Sequence, residues 1–167
     1  MENKQLGPIC KNSAFVINSL SYLLNPKLIS WSNVSSITFT GTVHVSVLLR
    51  ILKQVKTLEK LVVWSLDMDV DITSQEKHTG INAHSSLGFL NKSVKSFSVF
   101  DYKKTDADYC IGLNMLNLVL CLPRLQRLTS AEMVIESIKK YTEYCQLNKA
   151  IGCDCNIHLG KVEFIKT

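Results

Sequence analysis

The stretch Leu58-Glu59-Lys60-Leu61-Val62-Val63-Trp64 constrains this chain more than any other, because its apolar pattern recurs. It reads apolar, two residues, apolar, one residue, apolar. The same phase returns at Val34-x-x-Ile37-x-Phe39, Val94-x-x-Phe97-x-Val99, Leu125-x-x-Leu128 and Leu159-x-x-Val162-x-Phe164. In the Leu125 copy, Ser130 stands where the last apolar residue belongs. The central pair of each copy has strand period, so Leu61 and Val63 face one way and Lys60, Val62 and Trp64 the other. Starting positions 34, 58, 94, 125 and 159 leave room for one strand and one helix per unit, stacked side by side.

Helical patterns fill the intervals. Val43 to Val55 places Val43, Val47, Leu48, Ile51, Leu52 and Val55 on one face. Asp106 to Leu122 repeats the pattern with Ile111, Met115, Leu118 and Leu122 before Pro123 ends it. Thr129-Ser130 precedes a helix carrying Val134, Ile135, Ile138, Tyr141 and Cys145, with Glu132 and Glu136 early and Lys139 and Lys140 later, as the helix dipole favours. Ser85-Ser86 is a candidate cap for a short helix with Leu87, Phe89 and Leu90. Ahead of the repeats, Asn12-Ser13 is a candidate cap for a helix carrying Phe15, Val16, Leu20 and Leu23 that stops before Pro26. Residues 1–30 are therefore expected to be a leader and a capping helix, and residues 31–167 the repeat body.

The apolar-x-x-apolar-x-apolar signature followed by a helix resembles leucine-rich repeats of the long, ribonuclease-inhibitor type, over Trp31 to Thr167. The family carries Asn or Cys three residues after the last strand position, where this chain has Thr42, Leu66 and Tyr102. The resemblance implies a right-handed α/β solenoid of about five irregular repeats. It also implies a non-catalytic interaction module, since such repeats occur in F-box substrate adaptors, nucleotide-binding innate immune receptors and assembly scaffolds. The alternative is a compact doubly wound α/β domain, an enzyme or ligand binder with its site at the carboxyl ends of the strands. Gly41-Thr42, Asp67-Asp69, Asp101 and Glu132 would lie there.

Composition narrows the choice. The apolar fraction, 46%, is ordinary for a chain that buries a core. No signal-peptide pattern opens the sequence, and the apolar region Cys110 to Leu122 is too short to span a bilayer. Cys110, Cys121 and Cys145 fall in apolar helical patterns, which points to reduced thiols and an intracellular location, cytoplasmic or nuclear. The sequons at Asn33 and Asn91 then read as chance matches. A net charge of +5, scattered along the chain, suits an acidic partner and does not suggest a nucleic-acid groove.

Candidate chemistry is sparse. Asp67-x-Asp69-x-Asp71 offers oxygens to a hard cation, but Ile72 and His78 stand where a calcium loop wants Gly and Glu. Cys145, Cys153, Cys155 and His158 have zinc-ligand chemistry without paired Cys-x-x-Cys spacing. No Gly-x-Ser-x-Gly and no phosphate-binding glycine loop occurs. No metal, cofactor, small-molecule substrate or membrane partner is therefore expected. The residues alternating with the core pairs form columns instead: Ser36, Lys60, Ser96, Arg127, Lys161; then Thr38, Val62, Ser98, Thr129, Glu163; then Thr40, Trp64, Phe100, Ala131, Ile165. Lys60, Val62, Trp64, Phe100, Arg127 and Lys161 are the expected contacts for a protein partner, acidic or apolar. The competing reading buries Trp64 and Phe100 under the polar insertion from Asp67 to Asn82.

Overall fold

Each copy of the repeat becomes a strand, and the strands lie side by side in chain order. The computed structural model describes residues 13–17, 33–68, 90–103, 108–149 and 162–167. Strands β1 (Ser13–Ile17), β2 (Val34–His44), β3 (Lys60–Asp67), β4 (Ser96–Tyr102), β5 (Arg127–Ser130) and β6 (Glu163–Lys166) make one six-stranded sheet in the order β1-β2-β3-β4-β5-β6. Every adjacent pair is parallel. Three helices, α1 (Val45–Gln54), α2 (Asp108–Leu120) and α3 (Glu132–Lys149), are described between the strands. The protein is thus an α/β fold on a parallel sheet. The order of the described strands never reverses, so they lack the switch point at which doubly wound sheets bind ligands.

Strand periodicity sorts the side chains as the sequence requires. Ile37, Leu61, Phe97 and Leu128 form one fully buried row, and Phe39, Val63 and Val99 the next. Leu48 and Leu52 of α1, Met115 and Leu118 of α2, and Val134 and Ile138 of α3 join the same core. These helices therefore pack on one face of the sheet. On the other face Lys60, Trp64, Phe100 and Arg127 are exposed, while Thr38, Val62 and Thr129 are half-buried.

Two polar side chains cap the ends of α1, and the second ties it to the next unit. At the start of α1, His44 is the N-cap, its Nδ1 accepting from the Ser46 amide at 3.1 Å. At its end, the Asn91 side chain enters from the segment before β4. Its Nδ2 donates to the carbonyls of Leu52 (3.1 Å) and Val55 (2.7 Å), and its Oδ1 accepts from the amides of Ser93 (2.8 Å) and Val94 (3.3 Å). A helix C-terminus leaves carbonyls without intrahelical donors, and Asn91 supplies them. Asn91 is 1% exposed and its amide nitrogen is engaged twice, so the sequon there is a structural cap.

Ser130 shows why the weak fourth copy still works. It is fully buried, and its hydroxyl lies 2.5 Å from the Tyr102 hydroxyl of the neighbouring strand. Burial pushes the Tyr102 phenol well above its usual range, the hydrogen bond to Ser130 partly offsetting this. One polar pair therefore replaces one apolar contact.

Three expectations are corrected. Residues 13–17 are a strand, with Phe15 opposite Ile37 and Ile17 opposite Phe39, where a capping helix was expected. Phe15-Val16-Ile17 is β-prone, but Asn12 occupies the leading apolar position, which hid this copy of the repeat. The remainder of that expected helix and the Ser85-Ser86 helix lie outside the described residues. Next, a register shift in β2 between Phe39 and Thr42 places Val43, not Thr42, opposite Leu66. Both Val43 and Leu66 are buried, so apolar packing occupies the position where the family carries Asn or Cys. Lastly, β6 is offset by two residues: Leu128 pairs with Phe164, not Val162. The offset sets Glu163 beside Arg127, at 3.0 Å from its Nε, and Lys166 against Glu132 and Glu136 of α3, at 2.9 and 2.6 Å. Because the side-chain period is two, the faces survive and only the column members change.

Candidate functional site

The open face of the sheet gathers most of the residues expected to bind a partner. Four consecutive strands hold its columns in register: Ser36, Lys60, Ser96 and Arg127, then Thr38, Val62, Ser98 and Thr129. Trp64 and Phe100 follow on β3 and β4, 55% and 45% exposed, with ring centroids 6.0 Å apart and planes tilted by 56°. Large apolar side chains left this far in water, paired ring against tilted ring, are what a partner can dehydrate with most gain. The competing reading lays the Asp67 to Asn82 insertion over these rings, and that insertion lies outside the described residues from position 69 on.

The corrected offset of β6 alters the ends of the columns. Lys161 lies outside the described residues, and its expected place beside Arg127 is taken by Glu163. Ile165 moves to the Thr129 column and is 36% exposed. The first column is therefore Lys60 and Arg127 across Ser96, with Glu163 fixing the guanidinium through its Nε–H.

Positive charge is more concentrated than the sequence suggests. The turns leading into β3, β4 and β5 carry Lys56, Lys92 and Arg124, all exposed. Lys60, Lys95 and Arg127 stand at or next to the strand starts. Glu59 lies 2.9 Å from Lys95 and Glu163 3.0 Å from Arg127 on this edge. The expectation of scattered charge fails because units of 31 to 36 residues bring distant cations onto one edge, neighbouring strands being about 4.8 Å apart. The shared offset of Lys56 and Lys92, each two residues before an apolar repeat start, is the signal that could have revealed it.

The opposite edge, at the carboxyl ends of the strands, is mixed. Asp67 is 8% exposed and its Oδ2 accepts from Lys103 Nζ at 2.8 Å. Glu132 accepts from Lys166, and Asp101 is exposed next to Phe100. Asp69 and Asp71 lie outside the described residues, as do Cys153, Cys155 and His158. No group of three metal-ligating side chains occurs among the described residues. Cys121 is a buried free thiol whose pKa burial pushes up to about 11, the reverse of an activated nucleophile. No helix among the described residues is long and apolar enough to cross a membrane. No protein-family model, curated protein or solved structure matches the chain.

Proposed function

We propose that this chain is a non-catalytic protein-interaction module. It is a right-handed α/β solenoid of irregular leucine-rich-like repeats that serves inside cells as a substrate adaptor, receptor or scaffold portion of a larger complex. The observation that carries the reading is the exposed Trp64–Phe100 pair on a sheet face that the described helices leave open. Strictly sequential parallel order supports the solenoid, since each unit then contacts chiefly its neighbours. Parallel units joined through helices favour the right-handed crossover.

The test compares proteins captured by the wild-type chain with those captured by Trp64→Ala and Phe100→Ala. A partner retained by wild type and lost by both variants, each still folded by its melting curve, is expected. Loss of Trp64 should cost about 1–2 kcal/mol, below the roughly 3–5 kcal/mol of a core aromatic, because more than half of the side chain stays in water. Equal capture by all three chains, or a stability loss of core size in Trp64→Ala, would refute the reading.

A further inference from the structure

We infer that the occupant of the open face is an extended polypeptide segment lying along β4. A carboxylate at one end sits between Lys60 and Arg127, and an apolar side chain about four residues away rests on Trp64 and Phe100. This rests on the protein-docking reading above and names the chemistry of its partner.

The floor and walls come from the register. On the open face β4 contributes Ser96 and Ser98, small residues, before Phe100. Lys60 and Val62 flank them from β3, Arg127 and Thr129 from β5. Two strand spacings separate the Lys60 and Arg127 columns, about 10 Å, which admits one extended chain over the serines. Phe100 and its partner Trp64 close the track at its far end. From Ser96 to Phe100 the track is about 13 Å long, the rise of four extended residues, and residues four apart on a strand face the same side. A carboxylate and an apolar side chain at positions i and i+4 therefore both reach the sheet.

Charge decides the order. Lys60 and Arg127 stand at the start of the track, backed by Lys56, Lys92 and Arg124 in the adjoining turns. Glu163 holds only the Nε–H of the Arg127 guanidinium by the contact at 3.0 Å, and a guanidinium carries five donors. The far end is aromatic, with exposed Asp101 beside Phe100. A nucleic-acid strand or an anionic bilayer presents phosphate along its whole extent and would meet Asp101 and Glu163 as like charges. A polypeptide that is acidic at one end and apolar at the other sets no charge against Asp101, and its carboxylate meets Glu163 only across the Arg127 guanidinium that both share.

A phage library of random heptapeptides, selected on the full chain, tests this whatever the identity of the natural partner. The expected result is enrichment of sequences with Asp or Glu four positions from Trp, Phe, Leu or Ile. A synthetic peptide of the enriched sequence should bind about tenfold more weakly to Lys60→Glu, Lys60→Gln and Trp64→Ala, and more weakly to all chains as salt rises. Melting temperatures of the variants verify that they fold. Peptides that lose affinity for Trp64→Ala but not for either Lys60 variant would overturn the inference while leaving the docking reading intact. Absence of enrichment, or peptides indifferent to all three substitutions, would overturn both. Tighter binding of polyuridylate or phosphatidylserine vesicles than of any selected peptide would replace the polypeptide with a nucleic acid or a membrane.

Discussion

Asn91→Ala should be the most damaging single polar substitution in the described structure. The side chain makes its contacts with Leu52 and Val55 carbonyls at 3.1 and 2.7 Å and with Ser93 and Val94 amides at 2.8 and 3.3 Å, at 1% exposure. A typical hydrogen bond contributes about 1 kcal/mol net, and a buried group left without its partner costs about 1–3 kcal/mol. Counting the long Val94 contact as weak, Asn91→Ala should lose about 3–5 kcal/mol, a large share of the roughly 5–15 kcal/mol that holds an average domain. Asn91→Asp separates donor from acceptor roles. Its carboxylate still accepts from Ser93 and Val94 but faces the Leu52 and Val55 carbonyls with no proton to give. Burial then raises its folded pKa above the unfolded value. The unfolded state therefore releases its proton first, and stability falls as pH rises through the carboxylate range. Urea denaturation followed by circular dichroism, at neutral and mildly acidic pH, measures both effects. A loss below about 1 kcal/mol in Asn91→Ala, or wild-type stability of Asn91→Asp at neutral pH, would refute the assignment of Asn91 as the cap that ties α1 to the next unit.

Three further outcomes follow from the packing. Tyr102→Phe and Ser130→Ala should each lose about 1–2 kcal/mol by stranding the other buried hydroxyl, and the double variant should lose less than the sum; additive losses in a denaturation cycle would remove the pair from the core. Gly112→Ala should destabilise by about 1–3 kcal/mol even though alanine is the better helix former. The new Cβ would fall inside van der Waals contact of Ser137 Cβ between α2 and α3, and adding Ser137→Gly should recover most of the loss. Cys121 has a folded pKa of about 11 against 9.0 for an ordinary thiol. The unfolded thiol ionises first, so its contribution to stability is full below pH 9.0 and fades towards pH 11. The wild-type denaturation curve should therefore decline more steeply with pH over that window than that of Cys121→Ala, and parallel curves would contradict it.

The parts of the fold legible in the sequence are those set by periodicity alone. Leu61 and Val63 inward against Lys60, Val62 and Trp64 outward follows from the two-residue period, and the helix over Val45–Gln54 follows from apolar spacings of three and four, although Val43, expected on that helix, belongs to β2. What escaped has a different origin. Phe15-Val16-Ile17 satisfies both a strand and a helix locally, and only pairing with Ile37 and Phe39 decides between them. Register in β6 escaped because sliding by two residues keeps every side chain on its face, so the apolar pattern cannot choose. Contacts between charges on separate elements choose it: Arg127 with Glu163, and Lys166 with Glu132 and Glu136. Asn91 escaped for the same reason, since the helix carbonyls it satisfies belong to residues 36 and 39 positions earlier.

That separation also explains why the candidate site is more specific than its sequence. A repeat of 24 to 36 residues makes offset within the unit the coordinate that matters, and distance along the chain loses meaning. Lys60 and Arg127 are far apart in sequence, yet Ser96 alone lies between them in the sheet, because all three share one offset. Trp64 and Phe100 meet for the same reason. The site is therefore a property of columns: a basic one at the strand starts and an aromatic one four residues on, joined by serines too small to block the path. Each column can be exchanged separately. Moving the cation from Lys60 to the Ser96 position (Lys60→Ser with Ser96→Lys) keeps composition and net charge constant while filling the track. If the carboxylate of the partner lies over Ser96, this double exchange should weaken peptide binding about tenfold, as Lys60→Glu does. Binding that followed net charge alone would survive it.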